Sequence, residues 1–205
     1  MLKERNHLLD SIKLFCALLV VFIHCEYPYK AQVLPITDVA VPLFFAMSGY
    51  LVLGTRRWKE RIVRICKIFA FAAALYLLKT ELIHLFTGSH LWIPTRKNII
   101  DFVLFNDVAF SLHLWYLPAY IYVLLIAYII DKYNLWKWAL LLIIPLLMLG
   151  VYIKYSCPIQ EVHYYRNAIF NGLPYFLVGV LAKNIPAPAV SKWKPVLIIT
   201  IVVFL

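Results

Sequence analysis

Charge is scarce in this sequence: only 15% of its 205 residues are Asp, Glu, Lys or Arg, and acidic residues number 10 against 20 basic ones. A water-soluble domain of this length needs far more polar surface, so an ordinary soluble globule is excluded. The four cysteines, Cys16, Cys25, Cys66 and Cys157, show no metal-ligand spacing, which argues against a structural zinc or any other metal centre. Cys16 and Cys66 read as small packing residues in or beside apolar segments. Cys25 and Cys157 fall on the same side of the topology below, and a disulfide between them is the less favoured reading. No small-residue cleavage site follows the first apolar run, which therefore reads as an uncleaved anchor. Repeats, low-complexity tracts and nucleic-acid-binding signatures are also missing. The aromatics sit inside apolar runs rather than among the basic residues, so the net charge of +10 does not indicate a nucleic-acid partner.

What the chain has instead is hydrophobic length. Hydrophobic residues make up 64% of it, with a mean hydropathy of +0.82. Apolar runs recur near the length that crosses a ~30 Å hydrocarbon core at ~1.5 Å per residue. The sequence predicts an all-α, polytopic transmembrane bundle forming one domain over 1–205. Six complete spans are expected at 12–27, 35–54, 65–86, 112–130, 135–153 and 168–183. A seventh opens at Pro195 and stops at Leu205, which leads to the expectation of a C-terminally incomplete domain. Fourteen of the 20 basic residues fall in alternate connections and only five in the others, with Lys79 inside the third span. That asymmetry places the N-terminus in the cytoplasm. The longest outer connection, 87–111, holds a stretch from Ile99 to Phe105 that is too short to span and suits the interface. Pro42, Pro118, Pro145 and Pro174 fall inside four different spans, where each is expected to kink the helix or free a carbonyl toward a polar cavity.

The first span is too polar for a plain anchor. Only ten apolar residues, Leu14 to Ile23, separate Lys13 from His24, a rise of ~15 Å or half the hydrocarbon thickness. Lys13 can snorkel; His24 and Asp10 reach less far. Eleven positions apart, Lys13 and His24 share one helix face, and Asp10 can pair with Lys13 a turn away. A histidine there can take a proton from a hydroxyl and return it, although an imidazole satisfied at the interface is an equally economical reading. Lys79, Glu81 and His84 follow the third apolar core and read first as interface or interhelix groups.

Five landmarks in order resemble the acyltransferase-3 integral membrane proteins. Leu9 to His24 is similar to that family's first helix, in which a basic residue precedes a histidine with ten residues between them. Val41 to Leu51, containing Ser48-Gly49-Tyr50, resembles its Phe-Phe-x-x-Ser-Gly-Tyr/Phe signature. Arg61 and Arg64 match the basic stretch that follows, His113-Leu114-Trp115-Tyr116-Leu117 matches a later His-Leu-Trp segment, and Arg166-Asn167 with Phe176 to Gly179 matches the next. The family commonly has about ten spans. The branch most resembled includes sugar O-acetyltransferases and the membrane half of vancomycin-resistance serine racemases. Two departures stand out: Lys13 replaces the usual Arg, losing its bidentate fork, and no glutamate follows Trp115.

The resemblance implies an enzyme, an acyltransferase for groups other than aminoacyl groups, in a bacterial plasma membrane. It has no bound cofactor, takes acetyl-CoA or another acyl-CoA as co-substrate, and uses an envelope carbohydrate as acceptor. His24 would be general base or transient acyl carrier, with Lys13 neutralising donor phosphate or the reacting carbonyl oxygen. Arg61 and Arg64 would grip the donor, and topogenic charge is the plain alternative. Asp10, Ser48, His113, Arg166 and Asn167 are read as acceptor-binding or structural. The rival reading is a transport module for an amino acid or acyl group.

Overall fold

The computed structural model describes residues 7–54, 57–88, 92–156 and 162–185. Cys157 and the run from Pro195 lie outside them. The described residues are helical, with no strand among them: α1 His7–His24, α2 Lys30–Thr37, α3 Ala40–Val52, α4 Trp58–Thr87, α5 Arg96–Phe105, α6 Tyr116–Lys132, α7 Trp136–Leu141, α8 Ile143–Ser156 and α9 Leu173–Asn184. A 3-10 turn at Leu112–Trp115 leads into α6, another occupies Val162–Tyr164, and a π-helical turn at Ala168–Gly172 leads into α9. Two of these runs are long and apolar enough to cross a membrane, Lys30–Val52 and Leu112–Lys132. They cover the second and fourth expected spans. The third lies within α4, whose 30 residues extend ~45 Å.

The fifth and sixth expected spans are each broken, and proline explains both breaks. All four span prolines stand in the first turn of a helix, at Pro42 of α3, Pro118 of α6, Pro145 of α8 and Pro174 of α9. There a missing N–H costs nothing, because first-turn amides have no intrahelical acceptor. The carbonyl four residues upstream loses its partner, and in every case that carbonyl lies at an irregularity. Asp38 caps α2, Leu114 sits in the 3-10 turn, Leu141 ends α7 and Phe170 lies in the π turn. Pro42 and Pro118 thus stand inside the runs Lys30–Val52 and Leu112–Lys132, whereas the run 135–153 is two helices, α7 and α8.

The outer connection holds a full helix where only an interfacial stretch was expected. Thr95 caps α5 by accepting from the Asn98 amide at 3.3 Å, while the Asn98 side chain accepts the Thr95 amide at 2.9 Å. This reciprocal pair is a capping box with Asn in the third position. Asn106 ends the helix in the left-handed region at φ 62°, which Asn tolerates better than most residues.

The chain forms two compact units, residues 1–53 with 175–205, and Gly54–Pro174. In the first, α1 packs on α2 and α3. Cys16, Leu19, Ala40 and Met47 form its buried cluster, with Ile12, Val20, Leu43 and Phe44 against it. Here α3 and α9 come together backbone to backbone. A side chain at Gly49 would strike the Phe176 carbonyl, and one at Gly179 would strike the Ala46 carbonyl. Such close small-residue contacts let backbone pack on backbone and gain dispersion.

In the second unit α6 is central, packing on α4 and on the π turn. Its inward stripe is small: Ala119, Val123 and Ala127 are fully buried at successive turns. The outward faces stay apolar, as with Phe71, Leu75, Leu78, Leu82 and Phe86 along α4 and Leu14, Phe15, Leu18 and Phe22 along α1. Such continuous apolar surface suits a bilayer rather than water.

Candidate functional site

On α1 the polar groups anticipated at its two ends are present. Lys13 Nζ meets Asp10 Oδ1 at 3.3 Å, both side chains half-buried. His24 is the last residue of the helix and is exposed. Depth in packed protein therefore belongs to the Lys13–Asp10 pair and not to the imidazole. Between them, Cys16 and Leu19 bury against α3, so the face leading from Lys13 toward His24 runs along the edge of the buried stripe. At ~16 Å of rise, the cation and the imidazole do not meet directly. Cys25, just beyond, is a free thiol.

Ser48 on α3 is half-buried, and its hydroxyl donates to the Phe44 carbonyl one turn back at 2.8 Å. The Ser-Gly signature thus places an internally bonded hydroxyl beside the glycine that admits α9.

In the second unit Arg61 is half-buried and Arg64 exposed near the start of α4. What fixes that start was not visible beforehand. Trp58, buried, donates its indole N–H to Asp131 Oδ2 at 3.0 Å, and Trp136 donates to Oδ1 of the same carboxylate, also at 3.0 Å. One carboxylate at the end of α6 therefore ties down the first turns of α4 and α7. Trp58 precedes Arg61 by three positions, so this tie orients the turn carrying Arg61. Arg57 and Glu60 make a loose, exposed pair at 3.8 Å.

His113 lies exposed in the 3-10 turn ahead of α6, beside buried Leu114. Arg166 sits over the Tyr165 ring at 5.8 Å. Asn167 is buried with all of its polar side-chain atoms engaged. Its Oδ1 accepts the Ile169 and Phe170 amides at 2.9 and 3.0 Å, and its Nδ2 donates to the His163 and Tyr164 carbonyls at 3.2 and 2.8 Å. Asn106 joins it, accepting the Ala168 amide at 2.9 Å. Together the two amides cap the π turn, and the bonding of Asn167 is that of a structural cap.

Lys13 and His24 thus stand in one unit, while Arg61, Arg64, His113, Arg166 and Asn167 stand in the other. Among the described residues no group of three or more His, Cys, Asp or Glu could hold a metal ion. Within α1 the arrangement offers an ion pair and an imidazole on one helix; within the second unit it offers a cationic helix start anchored through Trp58.

A match to an acyltransferase domain extends over residues 6–205. The chain belongs to the acyltransferase-3 family, which is membrane-associated and whose domain transfers acyl groups other than aminoacyl groups. It is also similar to two proteins of Enterococcus faecalis named amino-acid racemase. One is 30% identical over 138 residues, covering 58% of this chain and 18% of that protein. The other is 25% identical over 205 residues, covering 87% of this chain and 28% of that protein. The chain spans less than a third of the length of either. No solved structure matches it.

Proposed function

We propose that this chain is the membrane domain of an O-acyltransferase. It moves an acyl group, most simply acetyl, from a cytoplasmic acyl-CoA to a hydroxyl of an envelope carbohydrate, within a multi-pass bundle in a bacterial plasma membrane whose N-terminus faces the cytoplasm. The observation that carries the reading is α1 itself. A domain matched to acyltransferases nearly from end to end begins with a paired cation, Lys13, and an imidazole, His24, joined by a single apolar stretch of half the bilayer's thickness. In this scheme His24 takes the proton of the attacking hydroxyl and returns it to the departing thiolate, or carries the acyl group between them. Lys13 balances negative charge on the donor or on the reacting carbonyl oxygen, and the Arg61 turn, held by Trp58 and Asp131, grips the donor's phosphates with Arg64 beside it. His113 and Arg166 serve the acceptor. The test is label transfer from acetyl-CoA in membranes containing the full-length protein. His24→Ala is expected to abolish it at unchanged protein level, and retention of transfer would overturn the reading.

A second reading is favoured by one observation, the two relatives named amino-acid racemase, in which the matched region is a minor part of the protein. In it the domain moves an amino acid or acyl group across the membrane without chemistry. Amino-acid uptake that survives His24→Ala, with no acetyl transfer in the unsubstituted protein, would favour it.

A further inference from the structure

The second unit contains buried polar atoms that the scheme above does not use. Glu81 and His84 stand three residues apart on α4, and so on neighbouring positions of one face. The Glu81 carboxylate is half engaged: Oε1 accepts the Trp92 amide at 3.2 Å, while Oε2 is buried with no partner. At the next turn, Nδ1 of His84 is also buried without one. The Trp92 ring meets Phe110 edge to face at 5.4 Å. The residue after Phe110, Ser111, buries its Oγ unpartnered as well. The 3-10 turn that starts directly after Ser111 packs on α4.

Buried polar atoms are almost always paired, because each bare one forfeits its bonds to water. Two of the three here stand on successive turns of α4, and the third follows Phe110, whose ring meets that of Trp92, the residue Glu81 holds; a molecule bound here would supply the missing partners. Their chemistry narrows its class. A carboxylate oxygen calls for a donor, while a ring nitrogen, according to its tautomer, and a serine hydroxyl each give or take one bond. The tryptophan and phenylalanine offer apolar ring surface to C–H groups. Adjacent hydroxyls on a sugar ring satisfy that set, whereas a phosphate or carboxylate would face the charge of Glu81.

We propose that Glu81, His84 and Ser111, around the Trp92–Phe110 pair, form a binding subsite for a hydroxyl-rich ligand, the acceptor of the transfer. This rests on the acyltransferase reading for its place in the reaction but not for its existence. Two experiments on the full-length protein test it separately. The first uses saturation-transfer NMR of the protein in lipid nanodiscs, with methyl β-glucoside as probe. The unsubstituted protein is expected to saturate the probe's ring protons, and Glu81→Gln and Ser111→Ala to weaken binding at least fivefold. Ser111→Ala removes only an unpartnered hydroxyl, so it tests the site with the fold intact. Absence of binding, or equal binding by all three proteins, overturns the subsite, and equal binding is the result expected if buried water alone fills these atoms. The second measures acetyl transfer to envelope carbohydrate. The same variants are expected to raise the acceptor KM at least fivefold and leave the acetyl-CoA KM within twofold. Transfer that proceeds unchanged in both variants overturns the subsite and leaves the acyltransferase reading standing. No transfer by the unsubstituted protein overturns the acyltransferase reading and leaves the NMR result to decide the subsite.

Discussion

Gly49 lies directly beneath the backbone carbonyl of Phe176, in the position where any other residue would carry its Cβ. Three residues along α9, Gly179 meets the Ala46 carbonyl in the same way. The two helices are as close as their backbones permit, and neither carbonyl can rotate away like a side chain. Gly49→Ala and Gly179→Ala are each expected to cost at least ~1–3 kcal/mol, the range for overpacked sites. Thermal unfolding in detergent checks this. The double variant should lose less than the sum, since one separation of the helices relieves both collisions.

The carboxylate of Asp131 gives the second unit a comparable fixed point. Asn at this position keeps one acceptor oxygen and turns an amide N–H₂ toward the second indole. Asp131→Asn and Trp58→Phe are each expected to destabilise by about 1–3 kcal/mol. A double-mutant cycle should show coupling of ~0.5–3 kcal/mol, because both changes break the same bond. Trp136→Phe should leave the Trp58 bond in place, so its effect should be more nearly additive with that of Trp58→Phe.

Lys13 separates charge from geometry. Lys13→Met removes the partner of Asp10 and is expected to lower acetyl transfer by about 10–1000-fold, as losing an electrostatic stabiliser does. Lys13→Arg keeps the charge and should retain most of the rate. His24→Ala is expected to cost about 10²–10⁴-fold, with unfolding unchanged because the side chain is exposed. Initial rates on membrane vesicles at matched protein level decide these.

Asn167 closes four hydrogen bonds, two with the π turn it caps and two with the 3-10 turn before it. Asn167→Ala should destabilise by ~1–2 kcal/mol, since it strips a cap and leaves part-buried backbone groups bare. Asn167→Asp keeps the two accepted bonds and is expected to fall between the two. Urea or thermal unfolding followed by helical circular dichroism ranks them.

Much of this architecture was legible in the residues, though not always for the reason first assigned. Apolar run length located Lys30–Val52 and Leu112–Lys132, and the Asp10–Lys13 pair followed from helical spacing alone. The prolines imply either a kink or a freed carbonyl, and spacing alone does not choose between them. Counting four residues back from each would have marked Asp38, Leu114, Leu141 and Phe170 as break points. Thr95 and Asn98 carried a capping signal that the surrounding hydrophobicity masked. The Asp131 tie and the Asn106 bond to Ala168 could not be read at all. They join residues 73 and 62 positions apart, and no local pattern encodes a pairing at that separation.

The proline in α8 also sets how far this stretch can reach. Trp136–Leu141 and Ile143–Ser156 have 6 and 14 residues, and neither alone matches a hydrocarbon layer of ~30 Å. Were the ring absent, one uninterrupted rod of about 21 residues would extend ~30 Å. A single imino acid thus stands between two short rods and one of full membrane thickness.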